Sequence, residues 1–192
     1  MMSDFGTLAA ISICLIVAAL IVGYSVRTGI SPMPSSRSVR AAIVDLIPES
    51  GELTVVDLGS GWGTLLLAIA LRRRNCRVVG YELSPIPFLI SRIRCRIVGA
   101  QRLVVTRADF MNEPLDDADV VVCYLYPGAM DRLADKFRSQ MKPGTMVISS
   151  TFAVPHWRPV ATRTVSDWFG GTNIYVYRIP ESLDSSDFSV IA

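Results

Sequence analysis

Apolar residues along this chain follow three successive patterns. From residue 5 to residue 26 no charged side chain interrupts a nearly continuous apolar run. As a helix this run rises roughly 33 Å, enough to cross a hydrocarbon core of about 30 Å. It predicts a transmembrane helix over 5–26. A cleaved signal peptide is the competing reading. Such a leader needs a positive n-region, whereas Asp4 and no Lys or Arg precede the run, and no clear small-x-small cleavage site follows. Residues 27–37, rich in Gly, Ser and Pro, predict a linker. From 38 to 180 short apolar runs alternate with helical spacing, and residues 181–192 are acidic and Ser-rich, the composition of a disordered tail.

Within 38–180 the elements read as follows. Val39, Ile43, Leu46 and Ile47 have helical spacing over 38–47, and Pro48, Glu49, Ser50 and Gly51 break it. Strands are predicted over 53–58, 77–82, 102–106, 119–125, 145–152, 161–168 and 173–179, and helices over 64–74, 86–98 and 129–141. The 86–98 helix carries Ile86, Leu89, Ile90, Ile93 and Ile97 on one face. The run 119–125 is apolar throughout, as a central parallel strand covered on both sides requires. Gly170 and Gly171 mark a hairpin between the last two strands. Strand and helix in alternation imply an α/β fold with a doubly wound, seven-stranded, mostly parallel sheet, Rossmann-like, with an antiparallel strand added by the hairpin.

The chemistry concentrates at the first strand ends. Val55-Val56-Asp57-Leu58-Gly59-Ser60-Gly61-Trp62-Gly63 is a buried strand followed by a glycine turn, and Glu82 closes the second strand. A dinucleotide fold would show G-x-G-x-x-G and place a pyrophosphate on the helix N-terminus. Here the spacing is G-x-G-x-G, and Asp57 would repel a phosphate. S-adenosylmethionine has no phosphate and carries an ammonium and a sulfonium, so a carboxylate beside the turn is favourable. Glu82, with Leu83 after it, is positioned for the ribose hydroxyls. Asp109 follows the third strand and can accept from the adenine amino group, while Phe110 packs on the adenine face. The candidate cofactor residues are thus Asp57, Gly59, Ser60, Gly61, Gly63, Glu82, Leu83, Asp109, Phe110 and Tyr124.

Transfer of a methyl group is an in-line displacement, and in an open α/β sheet the acceptor lies beyond the carboxyl ends of the strands. Tyr124-Leu125-Tyr126-Pro127 follows the fourth strand, and Phe152-Ala153-Val154-Pro155-His156-Trp157-Arg158-Pro159 follows the fifth. Aromatic rings there suit an amine acceptor, because cation–π contact favours its charged forms. Tyr126, Pro127, His156 and Trp157 are the catalytic candidates. His156 is either a turn residue or a general base, and Tyr126 and Trp157 are either site or packing residues.

With the motifs in place, the chain from about 40 to 179 resembles the mitochondrial-type protein-lysine N-methyltransferases, a class I family whose members modify the ADP/ATP carrier and the ATP synthase c subunit. The resemblance rests on Val56 to Gly61, on Gly80-Tyr81-Glu82-Leu83-Ser84-Pro85, on Ser91 with Arg94, and on Asp109-Phe110. It also rests on Pro127 with Met130 and on Phe152 with Pro155-His156-Trp157-Arg158-Pro159. Trp62, Thr64 and Phe110 depart from the family pattern. The resemblance implies a lysine side chain on a membrane-associated protein as acceptor. The alternatives are a methyltransferase for a small molecule or lipid headgroup, and a non-catalytic scaffold of the same fold.

Charge adds topology. Arg27, Arg37 and Arg40 follow the apolar span and no basic residue precedes it, which puts the catalytic domain on the cytoplasmic side with the N-terminus out. Of the 19 basic residues only Lys136 and Lys142 are lysine, and the arginines cluster at Arg72-Arg73-Arg74-Arg77 and Arg92-Arg94-Arg96. These are solvated helix faces or a patch on anionic headgroups beside the anchor. No aromatic residues interleave with them, so no nucleic-acid partner is expected. Cys14, Cys76, Cys95 and Cys123 form no C-x-x-C pair and read as reduced packing residues, with no metal site.

Overall fold

In the computed structural model, residues 2–28, 35–49, 51–167 and 170–181 are described. Among these residues, helix α1 (Met2–Thr28) precedes α2 (Arg37–Leu46), and seven strands and three further helices follow. They are β1 (Thr54–Leu58), α3 (Thr64–Arg72), β2 (Arg77–Tyr81), α4 (Pro85–Val98), β3 (Leu103–Thr106), β4 (Val120–Cys123), α5 (Pro127–Gln140), β5 (Met146–Ser150), β6 (Ala161–Val165) and β7 (Thr172–Arg178). The seven strands form one sheet in the order β3-β2-β1-β4-β5-β7-β6. The first five are parallel, while β7 runs antiparallel to both β5 and β6.

The sheet reads directly from side-chain alternation. In β4, Val120 and Val122 face one layer while Val121 and Cys123 face the other, all buried. One layer is α2 and α3, with Ile43, Leu66 and Ile69 fully buried against Val55, Val78 and Ile148. The opposite layer is built from α5, with Met130, Leu133 and Phe137 against Val56, Leu58 and Val147. Covering both faces is why β4 is apolar at every position.

Several boundaries move. Helix α1 continues to Thr28 and α2 begins at Arg37, capped by the Ser36 hydroxyl accepting from the Val39 N–H, so both ends of the expected 27–37 linker are helical. Residues 29–34, Trp168 in the expected sixth strand and tail residues 182–192 lie outside the described residues. β6 stops at Val165 and β7 starts at Thr172, which makes the connection longer than a tight glycine hairpin. The largest departure is α4. Its buried positions are Pro87 and Ser91, whereas Leu89, Ile90, Ile93 and Ile97 are exposed. The apolar stripe points away from the sheet, opposite to the usual amphipathic arrangement.

Gly80 in β2 shows how tightly the α3 layer closes. A Cβ there would lie 2.9 Å from both methyls of Leu66 and from the Ser60 hydroxyl. Glycine inside a strand marks such an approach. Leu66→Ala is expected to cost about 2–5 kcal/mol in urea denaturation, and Gly80→Ala about 1–3 kcal/mol. The double variant should be clearly more stable than the sum of the two losses, because the space vacated by Leu66 accepts the new methyl. Strict additivity would show that the two sites do not meet.

Candidate active site

The carboxyl ends of β1, β2 and β4 converge on the loop between β1 and α3. Gly59 and Ser60 both donate their N–H groups to the Tyr81 carbonyl at 2.9 Å, and Gly63 donates to the Ser60 carbonyl at 2.9 Å. Glu82 completes the fastening. One carboxylate oxygen accepts from the Gly61 N–H at 2.8 Å, and the other accepts from the Ser84 N–H at 2.7 Å. The donors of Gly59, Ser60, Gly61 and Gly63 are therefore bonded within the chain. A phosphate cradle presents such N–H groups outward; this loop turns them inward.

The turn needs glycine for two reasons. Gly63, with φ +73, caps α3 in the left-handed region, and a Cβ there would lie 2.3 Å from the Ser91 hydroxyl of α4. Arg94 on the same helix donates to the Trp62 carbonyl at 3.1 Å. Thus α4 clamps the loop through Ser91 and Arg94. Gly61 differs: a Cβ on it would meet nothing nearer than the Gly59 carbonyl at 3.9 Å, so its outer face is open.

Asp57 lies under the loop, buried, with Oδ2 lacking a hydrogen-bond partner among the described residues. The Ser60 hydroxyl is in the same state. Burial, and then the nearby Glu82 carboxylate, push the Asp57 carboxyl up from 3.8 to about 7. An unpaired buried carboxyl beside an open glycine face fits a ligand that is cationic and free of phosphate, as S-adenosylmethionine is.

On the far side of Glu82, Leu83 is half-buried and its carbonyl accepts from Arg107. Asp109 is also half-buried, and its Oδ1 accepts from the Met111 N–H at 3.0 Å, which leaves Oδ2 for a ligand. Phe110 packs at the margin of the core. After β4, the Tyr124 ring stacks on Phe152 from the end of β5, with centroids 6.4 Å apart and planes 14° apart. Tyr126 is the N-cap of α5, its ring lying over Gly128, and Pro127 occupies the first helical turn where its missing N–H is no loss.

The segment after β5 is held by contacts that sequence reasoning missed. Tyr177 of β7 accepts the Val154 N–H at 3.0 Å, and Ser149 donates its hydroxyl to the Phe152 carbonyl at 2.5 Å. Thr151 and His156 have φ of +71 and +63, left-handed values unusual for residues other than glycine. No composition signal could have announced either. Trp157 is buried edge-on against Phe137 at 6.1 Å and Tyr177 at 5.9 Å, with Arg138 over its ring. Among the four catalytic candidates it is thus a packing residue that anchors the segment, while His156 beside it is exposed.

Residues 57–161 match the ANTKMT methyltransferase domain family. The chain belongs to this family. A protein-lysine N-methyltransferase of Saccharolobus islandicus (strain REY15A) is 26% identical over 155 residues, covering 78% of this chain and 93% of that protein. The adenine nucleotide translocase lysine N-methyltransferase of Mus musculus is 32% identical over 131 residues, covering 66% of this chain but only 55% of the mouse protein. Among solved structures, an RNA methyltransferase from Salinibacter ruber in complex with S-adenosyl-L-homocysteine is 29% identical, with a TM-score of 0.71 over 80% of this chain and 97% of that one. This family member is an S-adenosylmethionine-dependent methyltransferase of class I fold.

The raised Asp57 carboxyl has a measurable sign. Its folded value of about 7 exceeds the unfolded 3.8, so the folded chain retains a proton that the unfolded chain has already released. Without cofactor, stability is therefore full below about pH 4 for this group and falls as pH rises toward about 7, by a few kcal/mol. In Asp57→Asn that decline should be absent. Urea midpoints across this range check it, and equal slopes in the two proteins would remove Asp57 as the cause.

Proposed function

We propose that this chain is a membrane-anchored protein-lysine N-methyltransferase. The observation that carries the reading is the stacked pair Tyr124–Phe152 at the ends of β4 and β5, an open aromatic shelf beside the cofactor loop. The names borne by the Saccharolobus and mouse relatives support it. An apolar helix spanning Gly6–Tyr24, long enough to cross a bilayer, supports the anchor.

The cofactor, when bound, supplies an electrophilic methyl on a sulfonium. Ionised Asp57 would face its cationic end, a pairing that draws the carboxyl back down from about 7. Each Glu82 oxygen already accepts one backbone N–H and has a second lone pair for a ribose hydroxyl. Asp109 Oδ2 would accept from the adenine amino group and Phe110 would pack on its face. Gly59, Ser60, Gly61, Gly63 and Leu83 shape the wall.

A lysine side chain reaches the shelf as an ammonium and must lose a proton before attack. The rings of Tyr124 and Phe152 exclude water around the amine and favour the methylated cation that leaves. His156 is the group on these two segments able to accept the proton and, being exposed, to pass it to bulk water, while the Tyr126 hydroxyl can hydrogen-bond the amine. Pro127 fixes the start of α5 and with it the Tyr126 ring. The apolar span followed by arginines supports a site on the cytoplasmic side.

A second reading has one specific support, the word RNA in the name of the Salinibacter structure. Against it, Tyr124-Leu125-Tyr126-Pro127 is not the Asn/Asp-Pro-Pro-aromatic block of amino-methylating nucleic-acid enzymes. Membranes incubated with the enzyme and methyl-labelled cofactor should carry label in protein, on lysine. Label confined to lipid, small molecules or RNA would reject the proposal. A tether raises effective concentration at the membrane. Deleting residues 1–27 should therefore slow methylation of a membrane-embedded acceptor at least tenfold more than that of a soluble peptide. Equal slowing of both would reject the anchor.

A further inference from the structure

Helix α4 is packed the wrong way round for a helix that serves only the core. Pro87, Ser91 and Cys95 face the domain, on the side where Ser91 meets the glycine loop. Leu89, Ile93 and Ile97, spaced by four, are 52%, 48% and 79% exposed, and Ile90 beside them is also exposed. Side chains at these spacings form one stripe along a helix. Arg92 and Arg96 flank it on one side and Arg94 on the other, and α4 has no acidic residue.

The position of this stripe is as informative as its composition. α4 contacts α1, and Arg107, just past β3, donates to the hydroxyl of Tyr24 at 3.3 Å. Tyr24 closes the apolar stretch Gly6–Tyr24, and tyrosine is favoured at the level of lipid headgroups. A helix beside that point with an outward apolar stripe and arginine flanks has the form of one lying in the plane of a membrane interface.

We infer that the outward face of α4 is a second membrane contact, its aliphatic stripe entering the bilayer interface and Arg92 and Arg96 resting on anionic phospholipid headgroups. This rests on reading α1 as an anchor. A second copy of the chain is a poorer occupant, because a two-fold contact would set one helix's three arginines against the other's. Because the same helix clamps the glycine loop through Ser91 and Arg94, the contact would fix the cofactor site at a set height above the bilayer.

The test uses the full chain in phosphatidylglycerol-containing vesicles. Cys14 and Cys95 are changed to serine, and Cys76 and Cys123 are buried. A nitroxide is placed on Ile97→Cys or on Val160→Cys, the latter exposed beside β6 at the opposite edge of the sheet. Collisions with lipid-soluble oxygen relative to a water-soluble nickel chelate should be several-fold higher at position 97 than at position 160, and less so in neutral vesicles. If the chain floats with vesicles but both probes collide as in water, the α4 contact is overturned and the anchor stands. If the chain does not float, both fall. Spin–spin broadening at position 97 without lipid would assign the face to a second copy and overturn the inference.

Discussion

The buried carboxylate of Glu82 holds the site together. Its two oxygens pin Gly61 on one loop and Ser84 on the next, so the turns after β1 and β2 cannot move independently. Hydrogen bonds to an ionised acceptor are the strong ones, and here two of them replace the solvation that burial removes. Asp57 shares the same dry space and is held back from ionising, by its burial first and by the Glu82 carboxylate second. A cationic ligand relieves that tension, which ties cofactor recognition to the way the loop is folded.

The other half of the site is built from aromatic packing. Trp157 wedges between Phe137 and Tyr177, and Tyr177 also takes the Val154 N–H. These contacts fix the segment after β5 so that Phe152 can stack on Tyr124. The left-handed residues Thr151 and His156 bracket the stretch. Unfavourable backbone of this kind persists only where the surrounding structure over-determines it.

The candidate cofactor half was legible because its carboxyl-bearing residues stand within or soon after the first three strands. Asp57 interrupts the apolar run of β1, Glu82 follows β2 directly, and Asp109 lies three residues past β3. Burial on both faces made the central strands continuous apolar runs and equally plain. The direction of α4 was not legible. Periodicity gives a stripe but not its heading, and the face that packs is made of proline, serine and cysteine, which carry little apolar signal. Nor could spacing separate Trp157 from His156, neighbours that the left-handed turn sends respectively into the core and into solvent. The double engagement of Glu82 depends on backbone geometry that no side-chain pattern encodes.

The strand order carries a consequence for how the protein is made. β7 lies inside the sheet, bonded to β5 on one side and β6 on the other, yet it is the last of the seven to be synthesised. Until it emerges from the ribosome, β5 presents an open edge and β6 has no partner strand. Open edges recruit other chains, and nascent domains are most prone to association in such states. Helix α1, by contrast, emerges before any strand of the sheet. If it enters the bilayer early, the unfinished sheet waits at the membrane surface until the seventh strand closes it.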